Sequence, residues 1–225
     1  MKFIVTGGGG YIGIPLISNL AINHEVVCLD RFFFGEELVS HFDGNKNITL
    51  IKDDIRWFDP EILDDVDVVL DLASISNDPA SELNPSKTLD INYLGRTRVA
   101  TLAKLHGVKR YILASSCSVY GFNDSELNES SDTNPLTTYS KAAIMAENDI
   151  LKLSDTNFTV VIPRFATVYG LAPRMRFDLA INAMIKRIFE TKSLGVMRDG
   201  TQWRPFIDSR QLLPVYLMKY CHNLM

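Results

Sequence analysis

The sequence predicts an α/β fold built on a doubly wound parallel sheet. Three observations predict it. Short, near-continuously apolar runs alternate with longer helical patterns, as strands covered on both faces require. A glycine cluster, Gly7 to Gly10, joins the first run to the first helical pattern. The chain has 225 residues, 46% of them hydrophobic, which is enough to bury a real core and excludes a disordered, collagen-like or fibrous protein.

The elements follow in order. Lys2 to Thr6 reads as a buried strand. Ile12, Leu16 and Leu20, spaced by four, form one face of the first helix, with Pro15 in its first turn where a missing N–H costs little. Further strands are expected at Glu25–Asp30, Ile48–Lys52, Val66–Leu72, Arg110–Ser115 and Thr159–Pro163. Helical patterns fall at roughly 86–106, 138–153 and 175–191. The polar stretch 122–137 reads as a surface loop, and no internal repeat or low-complexity segment is present.

Charge and cysteine usage exclude several functions. Twenty-three basic against 27 acidic side chains leave a net charge of −4, with none of the basic surplus that a nucleic-acid binder shows. Cys28, Cys117 and Cys221 are odd in number and far apart, which argues against a disulfide framework and for a reducing, cytoplasmic setting. No apolar run approaches the ~18 residues of a membrane span, and no signal peptide is expected before Met1–Thr6. His24, His41, His106 and His222 lack metal-ligand spacing, and Asp64, Asp65 and Asp67 read as a polar loop, so no metal site is expected.

The segment Thr6-Gly7-Gly8-Gly9-Gly10-Tyr11-Ile12-Gly13 carries the first functional signal. Between a strand and a helix, glycines permit a sharp turn and close approach of a pyrophosphate to the backbone, and the helix N-terminus offers N–H groups to phosphates. Two registers fit, Gly8-x-Gly10-x-x-Gly13 and Gly7-x-x-Gly10-x-x-Gly13. Asp30 closes the second strand, where an acid would accept the adenosine ribose hydroxyls; its charge repels a 2′-phosphate and so favours NAD over NADP, a preference that neighbouring Arg31 weakens.

With these residues the sequence resembles the extended short-chain dehydrogenase/reductases, specifically the NAD-dependent epimerase/dehydratases that act on nucleotide sugars. TGGGGYIG is similar to that family's TGxxGxxG, which selects Gly7, Gly10 and Gly13 and implies cofactor contacts by Tyr11 and Ile12 as well. Asp53-Asp54-Ile55-Arg56 matches the acid that contacts adenine, with Asp54 and Ile55 in the matching places. Leu72-Ala73-Ser74 matches the small-residue strand end under the cofactor, Asn92-Tyr93-Leu94-Gly95 the mid-helix NxxG, and Ser115 to Gly121 the strand-five serine motif. Arg164 to Gly170 matches the element that meets nicotinamide and substrate through Phe165 and Thr167, although many relatives carry asparagine where Thr167 stands. A narrower likeness is to sugar epimerases carrying PRMRFDL (Pro173 to Leu179) and RDGTQWRPF (Arg198 to Phe206). The resemblance implies a Rossmann domain over residues 1–170 and a partial substrate-binding region over 171–225.

It also implies a reaction: hydride transfer between a sugar carbon and the nicotinamide of NAD. Ser116 matches the catalytic hydroxyl and Tyr139 the base, which also borders the cofactor. Relatives carry a lysine four residues after the tyrosine to bind the nicotinamide ribose and lower the tyrosine pKa; here that residue is Ala143. Lys141 does not substitute, because two residues turn a helical side chain by ~200° whereas four return it to within ~40°. The expectation is a chain that binds NAD yet turns over slowly, with a catalytically silent NAD-binding protein or a non-functional fragment as alternatives. Dehydrating relatives carry an Asp-Glu pair after the catalytic hydroxyl; Cys117 and Ser118 stand there instead, leaving epimerisation or simple oxidation and reduction. Arg204 matches the arginine that holds the nucleotide-sugar diphosphate, and Arg174 is a second candidate beside Arg176. Relatives often dimerise through helices corresponding to those at 86–106 and 138–153, so the resemblance implies a homodimer as an expectation. The family pattern runs past Arg204, whereas Asp208-Ser209-Arg210-Gln211 departs from it and the apolar tail from Leu212 with Pro214 follows, so the substrate region is expected to be cut short.

Overall fold

A computed structural model of the chain describes residues 1–196, 200–201 and 203–212. Six strands, β1 (Lys2–Thr6), β2 (Glu25–Asp30), β3 (Ile48–Lys52), β4 (Val68–Asp71), β5 (Arg110–Leu113) and β6 (Thr159–Val161), form one parallel sheet in the order β3-β2-β1-β4-β5-β6. The doubly wound sheet expected from the alternating pattern is therefore present. The order reverses between β1 and β4, and such a switch point opens a crevice at the carboxyl ends of the strands.

Alternation along β1 sends Phe3 and Val5 into one core with Ile14, Leu16 and Leu20, and Ile4 into the other with Val69, Val99 and Tyr111. Burial on both faces explains why the strands read as continuous apolar runs.

Several boundaries move for identifiable reasons. The fifth strand divides: Arg110–Leu113 stays in the sheet, while Ser115–Ser116 turns aside to pair with Arg164–Phe165. The sixth stops at Val161, ahead of Pro163, which has no N–H to give a ladder. Helix α1 spans Gly13–Leu20. A short helix absent from the periodic pattern, α2 (Asp78–Leu83), starts on the Asn77 side chain, which accepts from the Ala80 N–H.

The helical pattern at 86–106 is α3 (Pro85–Leu89), a π-turn at Asp90–Gly95, and α4 (Arg96–Leu105). Helix α5 (Thr138–Leu151) opens on a capping box formed by Thr137 and Ser140. Helix α6 (Ala180–Thr191) begins later than 175, because Arg176 and Asp178 hold the preceding residues as a strap over the sheet ends. Beyond the main sheet, Thr167–Tyr169 pairs in parallel with Phe206–Asp208. Among the described residues no helix is long and apolar enough to cross a membrane.

Candidate active site

The glycine loop lies at the switch point, and its backbone explains its composition. Gly7 has φ +68°, and a Cβ there would stand 2.7 Å from the Ala73 nitrogen. A Cβ on Gly13 would stand 2.6 Å from Gly8 Cα, so loop and helix pack backbone to backbone. Gly10 meets only the Gly7 carbonyl, at 3.1 Å. Tyr11 is buried and its hydroxyl donates to the Gly170 carbonyl at 2.6 Å; Ile12 is half-buried and borders the cleft.

The carboxylate of Asp30 accepts from the Gly9 N–H at 2.9 Å and the Phe32 N–H at 2.7 Å, which fixes it at the mouth of the loop. Burial raises its pKa, against those N–H groups and the charge of Arg174. Arg31 turns away from this acid and bonds Asp54 at 3.1 Å. Burial opposes ionisation of Asp54, but hydrogen bonds and charge from Arg56, with Arg31, hold its pKa below the ordinary value. Ile55 beside it is buried against Gly95.

The floor of the cleft is Leu72, Ala73 and Ser74. The Ser74 hydroxyl is buried and hydrogen-bonds to no described residue. An orphaned donor beside a phosphate-sized glycine cradle and a ribose-height carboxylate is the arrangement a bound dinucleotide would complete. Asn92 lies in the π-turn with its amide spent on Ile75, accepting from its N–H at 2.8 Å and donating to its carbonyl at 3.0 Å, so it ties the loop after β4 to the helix.

The two candidate reacting groups come from the chain after β5, which carries Ser116, and from the first turn of α5, which carries Tyr139. Ser116 accepts from the Ser118 N–H at 3.2 Å, and its hydroxyl and Tyr139 both line the cleft. Tyr139 is half-buried in the first turn of α5, whose start Glu82 fastens by accepting from the Thr138 N–H at 2.6 Å. Burial pushes the Tyr139 pKa up; the polar Ser116 hydroxyl and the charges of Arg96 and Arg176 pull it down, and Asp78 adds to the rise. Ala143 is buried one turn later, while Lys141 is exposed, its charge turned toward Glu82. Burial raises the Cys117 thiol pKa, partly offset by Arg204.

The remaining candidates divide. Phe165 and Thr167 are half-buried and line the cleft, and Arg204 is exposed at its rim. Thr167 donates its N–H to the Pro205 carbonyl at 3.1 Å, which carries Arg204 to this wall. Arg174 sits farther along, its guanidinium 3.5 Å from the centroid of the Phe34 ring and within electrostatic reach of Asp30. Arg176 bonds Ser76 and Asp178. Cys28 is buried and unbridged, as Cys117 is also unbridged, whereas Cys221, His222, Arg198 and Pro214 lie outside the described residues. Among the described residues no group of His, Cys, Asp and Glu is placed to hold a metal ion.

Three polar networks behind the site escaped the motif reading. Asp71 is fully buried and binds Thr6, Tyr111 and Arg96. Glu147 binds Ser115 and holds Arg164 through both of its oxygens, and Arg164 reaches the Tyr120 hydroxyl at 2.9 Å. Asn182 joins Tyr11 to Gly170. One signal was available: Asp71 is a charged residue in an otherwise apolar strand, and a buried charge requires a partner.

Comparison with known proteins adds to this geometry. The family model described as "NAD dependent epimerase/dehydratase family" matches residues 3–221. A Bacillus subtilis (strain 168) protein named "Uncharacterized UDP-glucose epimerase YtcB" is 32% identical over 220 residues, covering 92% of this chain and 68% of that protein. UDP-glucuronic acid decarboxylase 1 of Danio rerio is 30% identical over 216 residues, and the chain spans half of its length. Among solved structures, UDP-glucuronic acid 4-epimerase from Bacillus cereus in complex with UDP-glucuronic acid and NAD superposes with a TM-score of 0.86 at 28% identity, covering 100% of this chain and 75% of that one.

Proposed function

The chain belongs to the NAD dependent epimerase/dehydratase family, and from that premise we propose that it binds NAD and a nucleotide sugar and moves hydride at a sugar carbon, slowly, as an epimerase or oxidoreductase. The observation that carries the reading is that Ser116 and Tyr139 line the same cleft as the glycine loop at the switch point of the sheet. The relatives named above that act on or bind UDP-linked sugars support the substrate class.

In this reading Gly7, Gly10 and Gly13 let the dinucleotide approach, Tyr11 and Ile12 offer N–H groups to its phosphates, and Asp30 accepts its adenosine ribose hydroxyls. Asp54, Ile55, Leu72, Ala73, Ser74, Asn92 and Phe165 bound the same cleft. NAD, when bound, supplies a reversible hydride acceptor. Tyr139 takes the proton of the reacting sugar hydroxyl while Ser116 hydrogen-bonds the same oxygen. Arg204 and Thr167 face the sugar diphosphate and the sugar. Arg174, beside Asp30, belongs to the cofactor end of the cleft. Cys117 and Ser118 leave elimination without a general acid, since the buried thiol is a weaker acid still than a free one.

Slow turnover follows from Ala143. A tyrosine of pKa ~10 is phenolate in about one molecule per thousand at pH 7, and weakened general-base catalysis loses ~10²–10⁴-fold. The test is NADH fluorescence and hydride exchange with UDP-sugars on one purified chain, with and without Ala143→Lys. Binding with slow turnover that Ala143→Lys raises is expected. Failure to bind NADH overturns the reading. Binding with no exchange in either form favours the second reading, a catalytically silent NAD-binding protein, for which Ala143 itself speaks. Pairing of two copies through α4 and α5 goes with the first reading, and sedimentation equilibrium tests it.

A further inference from the structure

The turns after β2 and β3 lie side by side at the edge of the cofactor cleft. The Asp53 N–H donates to the Asp30 carbonyl at 3.1 Å, and Asp30, Arg31 and Asp54 all line the cleft. Both carboxylates are fixed. Asp30 accepts a backbone N–H on each oxygen, from Phe32 on Oδ1 at 2.7 Å and from Gly9 on Oδ2 at 2.9 Å. Asp54 is 5% exposed. Its Oδ1 accepts from the Arg56 backbone N–H at 3.0 Å and from Arg56 Nε at 2.9 Å. Its Oδ2 accepts from Arg56 Nη2 at 2.9 Å and from Arg31 Nη1 at 3.1 Å. The Arg31 side chain is 51% exposed, and its guanidinium makes no other hydrogen bond to a described residue.

We propose that Asp54 is a specificity-determining residue for the dinucleotide: by holding the Arg31 guanidinium it keeps that cation from a 2′-phosphate and leaves Asp30 to reject NADP. This rests on the reading of the glycine loop and Asp30 as the adenosine end of the cofactor site.

In such a sheet an acid at the end of the second strand takes the ribose hydroxyls, whereas an arginine beside it accommodates a 2′-phosphate. This chain carries both, as Asp30 and Arg31, and the sequence alone leaves their contest open. The geometry decides it. A phosphate monoester bears close to two negative charges at neutral pH and requires a guanidinium fork or several N–H donors. The N–H groups of Gly9 and Phe32 are spent on Asp30. The neighbouring cations are engaged as well. Lys52, in register with Asp30, bonds Glu36; Arg56 is shared between Asp54 and Asp90; Arg174 lies 3.5 Å from the Phe34 ring centroid. Arg31 is held by a single hydrogen bond, so a change at Asp54 releases it. Because Arg56 already fixes Asp54, only Arg31 loses freedom when the pair forms.

The test reads binding alone, as the ratio of NADH to NADPH affinity in fluorescence titrations of the full chain. A change that disturbs only the adenine affects both dinucleotides and cancels in the ratio. The parent is expected to prefer NADH. Asp30→Asn removes the repelling charge and narrows the ratio about tenfold. Arg31→Ala, in the parent or beside Asp30→Asn, leaves the ratio unchanged, because Asp54 already occupies that cation. Asp30→Asn with Asp54→Asn narrows it by about tenfold more, the worth of one charged hydrogen bond to phosphate, and Arg31→Ala added to that pair removes the second gain. No second gain, or a gain that survives Arg31→Ala and so belongs to another cation such as Arg174, overturns the proposal. If Asp54→Asn does not fold, Arg31→Ala beside Asp30→Asn decides: an unchanged ratio supports the proposal, and a wider one shows Arg31 already serving the 2′-phosphate and overturns it. A parent that binds neither dinucleotide defeats the cofactor reading and this one with it. Binding of NADH without hydride exchange defeats the enzyme reading alone.

Discussion

The guanidinium of Arg174 lies 3.5 Å from the centroid of the Phe34 ring, so the strap before α6 closes onto the loop that follows β2. Asp30, at the start of that loop, feels the same cation. The strap also crosses the other rim of the cleft, where Arg176 donates to the Ser76 hydroxyl at 2.9 Å and Asn77 donates to Asp178 at 2.8 Å. Both rims of the cofactor cleft are therefore tied by one short segment. Arg174→Ala is expected to weaken NADH binding about fivefold to tenfold, the worth of one partly desolvated cation–π contact of roughly 1 kcal/mol. Fluorescence titration checks it, and unchanged affinity would show that the strap does not retain the cofactor.

The pH dependence of turnover has a definite sign. The reacting form of Tyr139 is the phenolate, and burial holds its pKa above the ordinary value of 10.0. Hydride exchange is therefore expected to rise about tenfold per pH unit from neutrality upward, with no plateau below pH ~10. Ala143→Lys, by adding a cation on the same face of α5, brings the plateau to lower pH. A rate profile measured to pH 10 on both forms is the check; a plateau near neutrality in the unaltered chain would assign the limiting proton to another group.

Two glycines with positive φ separate cradle from turn. Gly7→Ala puts a Cβ 2.7 Å from backbone, where nothing can yield, whereas Gly44 also has positive φ, +80°, but has nothing within 4 Å. Both substitutions incur backbone strain of about 1–3 kcal/mol, visible as a lower melting temperature. Only Gly7→Ala is expected to abolish NADH binding as well. Equal effects of the two on binding would mean that the loop's close packing on Ala73 is not what shapes the site.

The contrast between these glycines shows what was legible in the sequence. Close spacing of Gly7 to Gly13 between a strand and a helix pointed to the cradle, and continuous apolar runs and a spacing near four located the sheet and the long helices, because those patterns are local. The π-turn at Asp90–Gly95 was not legible in a local pattern; within it Asn92 bonds Ile75, a partner 17 residues away. Arg174 is a motif-based candidate for the nucleotide-sugar diphosphate; its contact with Phe34 and its nearness to Asp30 depend on how the strap lies across the sheet. Arg96 carried no motif at all. Its meaning depends on Asp71, brought beside it only when β4 and α4 pack together.

The same dependence on packing leads to a prediction for Asn182, the 4% exposed residue that joins the glycine loop to α6. Its Nδ2 donates to the Tyr11 hydroxyl at 3.1 Å and the Arg176 carbonyl at 3.0 Å, while its Oδ1 accepts from the Gly170 N–H at 3.2 Å. Asn182→Leu keeps the volume but leaves the Tyr11 hydroxyl, the Arg176 carbonyl and the Gly170 N–H each one partner short, at a cost of about 1–3 kcal/mol for an unsatisfied group. Tyr11→Phe removes one member from the other side and should cost less, because Asn182 keeps its remaining bonds. Since both act on one network, their effects should fall short of additive by at least ~0.5 kcal/mol in a double-mutant cycle read by urea unfolding. Strict additivity would mean that Tyr11 and Asn182 stabilise their segments separately and that the glycine loop is not braced by α6.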